Sequence, residues 1–307
     1  ADIFLINFLP DARRRLHLEV DDIRAANPNI IYVRGSGHGQ RGPDAEKGGY
    51  DGSTFWCRMG SAWGATPSDS SRVSPMPAGA YGDSMGAMTI AGGIAAALFA
   101  RDRTGEPSVV DVSLMSVGAW AIALSLGNAM LTNEVITPAS LSAPMNLAVH
   151  VGWPLDQLQH AATRPLLRRR VQAPGLEYLL EDERFTTAEG LMANALEAGR
   201  HIAAVIAEKP YSYWVEHLQT MEGQWAPIQD PLEIAADPQM EANGYIVPLV
   251  DADGKPRRLV ANPVQFDETP PTITRGPLFA EHTDEILREL GKSDDEIIEL
   301  KIAGACT

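Results

Sequence analysis

The sequence is poor in cysteine, in basic charge and in long apolar runs. Its 307 residues hold two cysteines, Cys57 and Cys306, far apart and outside any C-x-x-C or Cys/His cluster. This predicts neither a zinc site nor a disulfide framework, so we expect no metal and a reducing, cytoplasmic setting. Lys and Arg total 25 against 40 Asp and Glu, a net charge of −15. Such a surface repels a phosphate backbone, so no nucleic acid partner is expected. An anionic ligand would have to be met locally, by arginines, helix N-termini or glycine-rich backbone amides. The most apolar stretches, 88–100 and 117–131, are short and interrupted, the opening residues carry no signal-peptide pattern, and no membrane partner is expected. Internal repeats and low-complexity segments are also missing. What remains, 45% hydrophobic and 21% charged residues, is the composition of a folded chain with a sizeable core.

The pattern along the chain predicts an α/β protein. An apolar run at 3–8 precedes Pro10 and a helix over 11–18, and a second helix covers 20–26. The β-branched run 30–33 reads as a buried strand of a parallel sheet. Residues 35–82 are rich in Gly, Ser and Pro and read as one long loop, a length that usually marks function. The clearest helix spans 83–103, with Asp83 or Ser84 as its cap, Arg101 and Arg103 near its end and Gly105 as its stop. A strand at 109–114 and a second buried helix at 116–131 follow. Composition shifts near 139, and 140–175 carries few signals beyond the basic run Arg168, Arg169, Arg170. Helices are expected at 189–209 and 211–221. Strands at 245–250 and 257–261 flank the hairpin turn 251–254. A Pro-rich stretch, 262–277, leads to two terminal helices, the first capped by Thr283 and the second by a Ser293/Glu296 capping box. We therefore expect a large α/β domain at 1–138, a small α+β domain at 139–250, and a linker with returning helices at 251–307.

Three motifs compete for the chemistry. Gly37-His-Gly39-Gln-Arg-Gly42 matches G-x-G-x-x-G after a strand, but no helical periodicity starts at its third glycine, as a dinucleotide site needs. The bland alternative is a flexible loop whose glycines expose backbone amides. Gly82-Asp83-Ser84-Met85-Gly86 matches the nucleophile elbow of esterases, with Asp267 and His282 in the required order; the Pro-containing segment before it does not read as the buried strand an elbow requires. In the third reading Asp83 itself works, as a carboxylate kept ionised by a helix N-terminus and able to attack a thioester. An N-cap role alone is the competing reading.

Several segments taken together resemble the family III CoA-transferases of the CaiB/BaiF, formyl-CoA transferase type. They are Asn7-Phe8-Leu9-Pro10 with Arg13 to Leu16, Asn27-Pro28, the Ser36 to Pro43 glycine segment, Gly49-Tyr50-Asp51, Gly82-Asp83, Arg103-Thr104-Gly105 and Val110 to Leu114. Leu180 to Phe185, Trp225 to Ile228, Asp237-Pro238 and Glu281 to Asp284 continue the match in the same order. The resemblance implies a Rossmann-like large domain, a smaller α+β domain and an interlocked homodimer. It implies transfer of CoA from an acyl-CoA to a carboxylic acid through an aspartyl-CoA thioester on Asp83, with no permanently bound cofactor. Asn7, Phe8, Arg15 and Leu16 would lie along the CoA, and Gly37, His38, Gly39, Tyr50 and Asp51 in an active-site loop. A solvated basic helix face is the alternative for Arg13 to Arg15.

Related acyl-CoA racemases place a histidine where Tyr50 stands. Tyrosine, with an ordinary pKa of about 10, is a poor base at neutral pH, so we favour transferase over racemase, and both over a Ser84 esterase. Two departures accompany the match. The family begins with further strand–helix units before the position of Ala1, so we expect an N-terminally truncated chain. Residues 143–174 also do not read like the family.

Overall fold

The computed structural model describes residues 1–135, 137–138, 147–150, 155–158, 181–185, 187, 190, 193–218 and 225–307. The chain forms two compact units, one of Ala1–Leu147 with Leu158–Val205, the other of Ala148–Gln157 with Ile206–Thr307.

The first unit is built on three parallel strands in the order β1 (Ile3–Ile6), β2 (Ile31–Ser36) and β3 (Val109–Ser113). Leu5 pairs with Val33, and Val33 with Val110. Ile31, Tyr32 and Val33 are fully buried, as expected for a central parallel strand covered on both faces. Helices α1 (Pro10–Arg15) and α2 (Val20–Ala26) connect β1 to β2. The second crossover carries α3 (Ser61–Ala65) and the 24-residue α4 (Tyr81–Thr104). Ile31, Val33 and Ala97 form one core cluster, with Ile90, Ile94 and Leu98 of α4 laid against it. This contact accounts for one face of α4 only: 11% of its most apolar stretch is buried, and Met88 and Phe99 are exposed. Among the described residues it is the one unbroken helix long and apolar enough to cross a membrane, and here it covers a sheet.

Residues 35–82 are not one loop. A π-helical turn, Asp51–Arg58, inserts Phe55 and Trp56 into a second cluster with Ala62, Val112 and Val117. Two adjacent aromatics carry no periodicity, so the sequence pattern did not show the turn. The expected cap of α4 is also corrected. The helix begins at Tyr81 after Ala80, which sits at φ 60° and makes no side-chain cap. Asp83 is therefore the third helical residue, and it is Asp51, far away in sequence, that accepts the Gly82 amide at 2.9 Å. The expected buried helix at 116–131 is two helices, α5 (Leu114–Ala121) and α6 (Ala123–Thr132), bent by 76°. A Ser113/Ser116 capping box starts α5 earlier than hydropathy suggested. Val117 and Gly118 are buried, whereas Trp120 is 82% and Leu124 92% exposed, so apolar composition here does not mean burial.

Further along, β4 (Leu147–His150), β5 (Leu155–Leu158) and β6 (Trp225–Ile228) make a three-stranded sheet. Helices α7 (Ala195–Ala207) and α8 (Tyr211–Leu218) meet where the buried Trp214 indole donates to the Ile206 carbonyl at 2.7 Å. Short helices α9 (Pro231–Ala235) and α10 (Pro238–Ala242) are capped by Asp230 and Asp237. The hairpin of β7 (Ile246–Val250) and β8 (Pro256–Val260) turns where expected, with Asp251 accepting the Asp253 and Lys255 amides. The chain ends in α11 (Thr283–Glu289) and α12 (Asp294–Ile302). The Ser293/Glu296 capping box is present, but α11 has no side-chain cap and Thr283 is its first residue. Apart from β4 and β5, the atypical segment 143–174 lies outside the described residues.

The seam between α4 and the π-helical turn is the tightest part of this unit. A Cβ built on Gly82 would stand 2.3 Å from Phe55 Cγ and 2.5 Å from Asp51 Oδ1. Gly82→Ala therefore overpacks the seam and should cost about 1–3 kcal/mol. Denaturant titration of both proteins measures this; an unchanged midpoint would mean that the close approach does not exist.

Candidate active site

The parallel strands end at Ser36 and Ser113, and a cavity of about 520 Å³ opens there. This is where open α/β sheets bind ligands, beyond the carboxyl ends of their strands. Gly35, Ser36, Val112 and Ser113 form its floor. Asn7, Phe8 and Arg13 close one side, Gly48 to Asp51 another, and Asp83, Gly86, Ala87 and Ile90 of α4 a third.

Each wall has a local cause. Arg13 is only 3% exposed and donates to the Phe8 carbonyl at 3.0 Å, Gln40 Oε1 at 3.0 Å and Glu19 at 3.2 Å. It ties α1 to the glycine segment, so the basic run is not a uniformly solvated face. Arg14 pairs with Glu46 at 3.1 Å, and the exposed Arg15 reaches Asp11 only at 3.9 Å. The glycine segment works through backbone contact. A Cβ on Gly37 would lie 2.5 Å from Gly49 Cα, so the two strands of the loop touch only because neither residue has a side chain. No helix starts at Gly42, and residues 43–46 form turns, which removes the dinucleotide reading. Behind this loop Asp44 binds Lys47 and Arg58, both at 2.7 Å, and they hold its carboxyl down to about 2. Arg58 also meets His38 Nδ1 at 3.2 Å.

Asp83 stands in the first turn of α4, exposed along the cavity wall. Partial desolvation, and then the negative charge of Asp51, push its carboxyl above the usual carboxylate range. The helix dipole and the first-turn amides act in the opposite direction and favour the anion. Ser84, one residue on, donates its hydroxyl to the Ala80 carbonyl at 2.8 Å. No strand precedes it at 74–80. The nucleophile elbow is absent, and with it the geometry for the Ser84 esterase reading.

The structure thus gathers Asn7, Phe8, Gly37, Tyr50, Asp51 and Asp83 around one cavity. Arg15, Leu16, His38 and Gly39 do not line it. Arg13 and Lys47 do, and sequence reasoning had not placed them there. For Arg13 the signal was the i, i+3 spacing from Pro10, which puts it rather than Arg15 on the inner face of a six-residue helix; Lys47, in the glycine segment, left none. Among the described residues no cluster of three or more His, Cys, Asp or Glu side chains is placed to hold a metal ion.

Comparison with known proteins gives this geometry a family. Residues 1–283 match the model of CoA-transferase family III. Cinnamoyl-CoA:phenyllactate CoA-transferase of Clostridium sporogenes is 28% identical over 98% of this chain and 74% of its own length. (R)-2-hydroxy-4-methylpentanoate CoA-transferase of Clostridioides difficile is 25% identical over 98% and 76%. Among solved structures, a CAIB/BAIF family protein from Brucella suis superposes with a TM-score of 0.81 at 23% identity, over 94% of this chain and 75% of that one. The chain spans about three quarters of the length of these relatives. Both clostridial relatives are named CoA-transferases, which does not favour the racemase alternative. The chain belongs to CoA-transferase family III, and CoA transfer is its class of activity.

Proposed function

We propose that the chain moves CoA from an acyl-CoA to a carboxylic acid through covalent intermediates on Asp83. The observation that carries this reading is Asp83 itself, an exposed carboxylate of raised basicity in the first turn of a 24-residue helix, on the wall of a cavity at the strand ends. The Asp83 carboxylate attacks the thioester carbonyl, forming a mixed anhydride and releasing CoA thiolate. The thiolate attacks the aspartyl carbonyl of the anhydride, giving aspartyl-CoA thioester and the free donor acid. The acceptor carboxylate attacks that thioester, again forming an anhydride and thiolate. Attack of the thiolate on the acceptor carbonyl yields the new acyl-CoA and restores Asp83. One negative charge passes through every step, so neither water nor an external base is consumed. Amides of the Gly37/Gly49 loop and of the α4 N-terminus suit the developing oxyanions. Asn7 and Phe8 on the cavity wall, with Arg15 and Leu16 beyond it, are assigned to the CoA. Gly37, His38, Gly39, Tyr50 and Asp51 are assigned to the active-site loop.

The wider reading is a cytoplasmic, interlocked homodimer with domains at 1–138, 139–250 and 251–307. The exposed Trp120, Leu124 and Leu131 support a further covering of α5 and α6.

Two outcomes test the reading. Asp83→Asn should abolish exchange of labelled CoA between acyl-CoA donors and a panel of 2-hydroxy and dicarboxylic acids, while near-native exchange would refute the assignment. The sign of its stability effect is also fixed. Asp83 has a folded pKa above its unfolded value, so its stabilisation is present at low pH and lost as pH rises through the folded pKa. Asp83→Asn should therefore melt at the same temperature or higher at neutral pH, whereas a large drop in Tm would make Asp83 structural.

A further inference from the structure

Asp51 is the buried titratable group that the transfer steps above leave without a task. It is 7% exposed, lines the cavity with Asp83, and gives Oδ1 to the Gly82 amide at 2.9 Å. Its Oδ2 is buried without a hydrogen-bond partner among the described residues. A helix cap alone does not call for this arrangement. Asn or Ser would satisfy the Gly82 amide without burying a charge, and an unsatisfied buried carboxylate oxygen is costly. A buried polar group kept at such a cost asks for a role.

We propose that Asp51 is a positioning residue for CoA transfer: its buried carboxylate clamps the first turn of α4 through the Gly82 amide and so aims Asp83 at the thioester. The proposal rests on Asp83 as the nucleophile. The clamp is specific to the dipeptide Gly82-Asp83. Glycine leaves room for the Asp51 oxygen and the Phe55 ring, and the residue directly after the clamped amide is the one that must meet substrate. Clamping one amide fixes the direction of the next side chain to within a rotamer, and small misplacements of a reacting group lower rates steeply. The second effect is electrostatic. The Asp51 charge faces the same cavity as Asp83 and destabilises its anion, which strengthens it as a nucleophile.

The other charged and titratable groups near α4 are already engaged or turned away. On β2 and β3, Arg34 and Asp111 pair at 2.6 Å, and the Tyr32 hydroxyl donates to the Leu18 carbonyl. On the π-helical turn Arg58 is bound to Asp44 and Cys57 is exposed. Helix α5 has no charged residue. On the cavity wall Arg13 is held by its three partners, Lys47 by Asp44, and Tyr50 is exposed. Among the described residues, Asp51 is the charged group left to act on Asp83.

The test follows the donor half-reaction, covalent labelling of the enzyme by acyl-CoA, so that no acceptor acid titrates. In Asp51→Asn the amide oxygen still accepts the Gly82 N–H, but the charge is gone. The acid limb of the labelling rate should move to lower pH, with kcat reduced and KM for acyl-CoA within about twofold of wild type. Asp51→Ala also loses the clamp and should be slower by about 100-fold at every pH. A purely structural role would leave the acid limb in place, and wild-type rates in both variants would overturn the proposal. In the unsubstituted enzyme the Gly82 amide should be protected from hydrogen exchange; exchange at the rate of a free amide would overturn the clamp even if neither variant folds. Asp83→Asn, run in parallel, separates the two claims. Labelling that survives in Asp83→Asn removes the nucleophile assignment. A dead Asp83→Asn beside an Asp51→Asn of unshifted pH limb removes only the positioning role.

Discussion

The site depends on one steric constraint, the absence of a side chain at Gly82. That absence lets the Phe55 ring and the Asp51 carboxylate reach the first turn of α4. From this contact the rest follows in order. Phe55 anchors the π-helical turn in the cluster with Trp56, Val112 and Val117, which fixes the turn against β3 and α5. The turn in turn holds Gly49 against Gly37, so the glycine segment folds over the strand ends and leaves a cavity. The same helix that starts at this contact lays Ile90, Ile94 and Leu98 on the buried sheet. A rigid scaffold thus carries one exposed carboxylate to a defined place, as precise chemistry requires.

The site shares the acidic character of a protein whose net charge is −15. Among the described residues, the cations nearest the cavity are already engaged: Arg13 with the Phe8 carbonyl and the Gln40 side chain, Lys47 and Arg58 with the Asp44 carboxylate. None forms an ion pair with Asp83. Its basicity is raised by partial desolvation and by a second carboxylate rather than lowered by an arginine. An ion pair would stabilise the carboxylate and weaken it as a nucleophile. The arrangement is compatible with the nucleophilic role proposed for Asp83.

Much of this was legible in the sequence, and the failures have common causes. The alternation of β-branched runs and helical periodicity gave the parallel strands, and Gly105 marked the end of α4 where its φ is +76°. Ser293 and Glu296 were readable because a capping box is local. The start of α4 was not, because its amide is capped by Asp51 from 31 residues away, and long-range contacts leave no local pattern. The π-helical turn was hidden for the same reason: Phe55 and Trp56 are buried by tertiary contacts rather than by periodic spacing. The bend between α5 and α6 was missed because hydropathy reports apolar content, and Leu124 is apolar yet exposed. For the site, Asp83 was singled out by its place at a helix start and by the resemblance, Asp51 and Tyr50 by the resemblance alone. That Arg13 and not Arg15 lines the cavity needed the actual face of α1.

The most direct measurement is a peptide map of the enzyme quenched in acid during turnover with acyl-CoA. A covalent CoA thioester on the peptide carrying Gly82-Asp83-Ser84, located by fragmentation to the Asp83 carboxyl, is the predicted result. An acyl group on the Ser84 hydroxyl, or sustained CoA exchange with Asp83 unmodified throughout, would contradict the account.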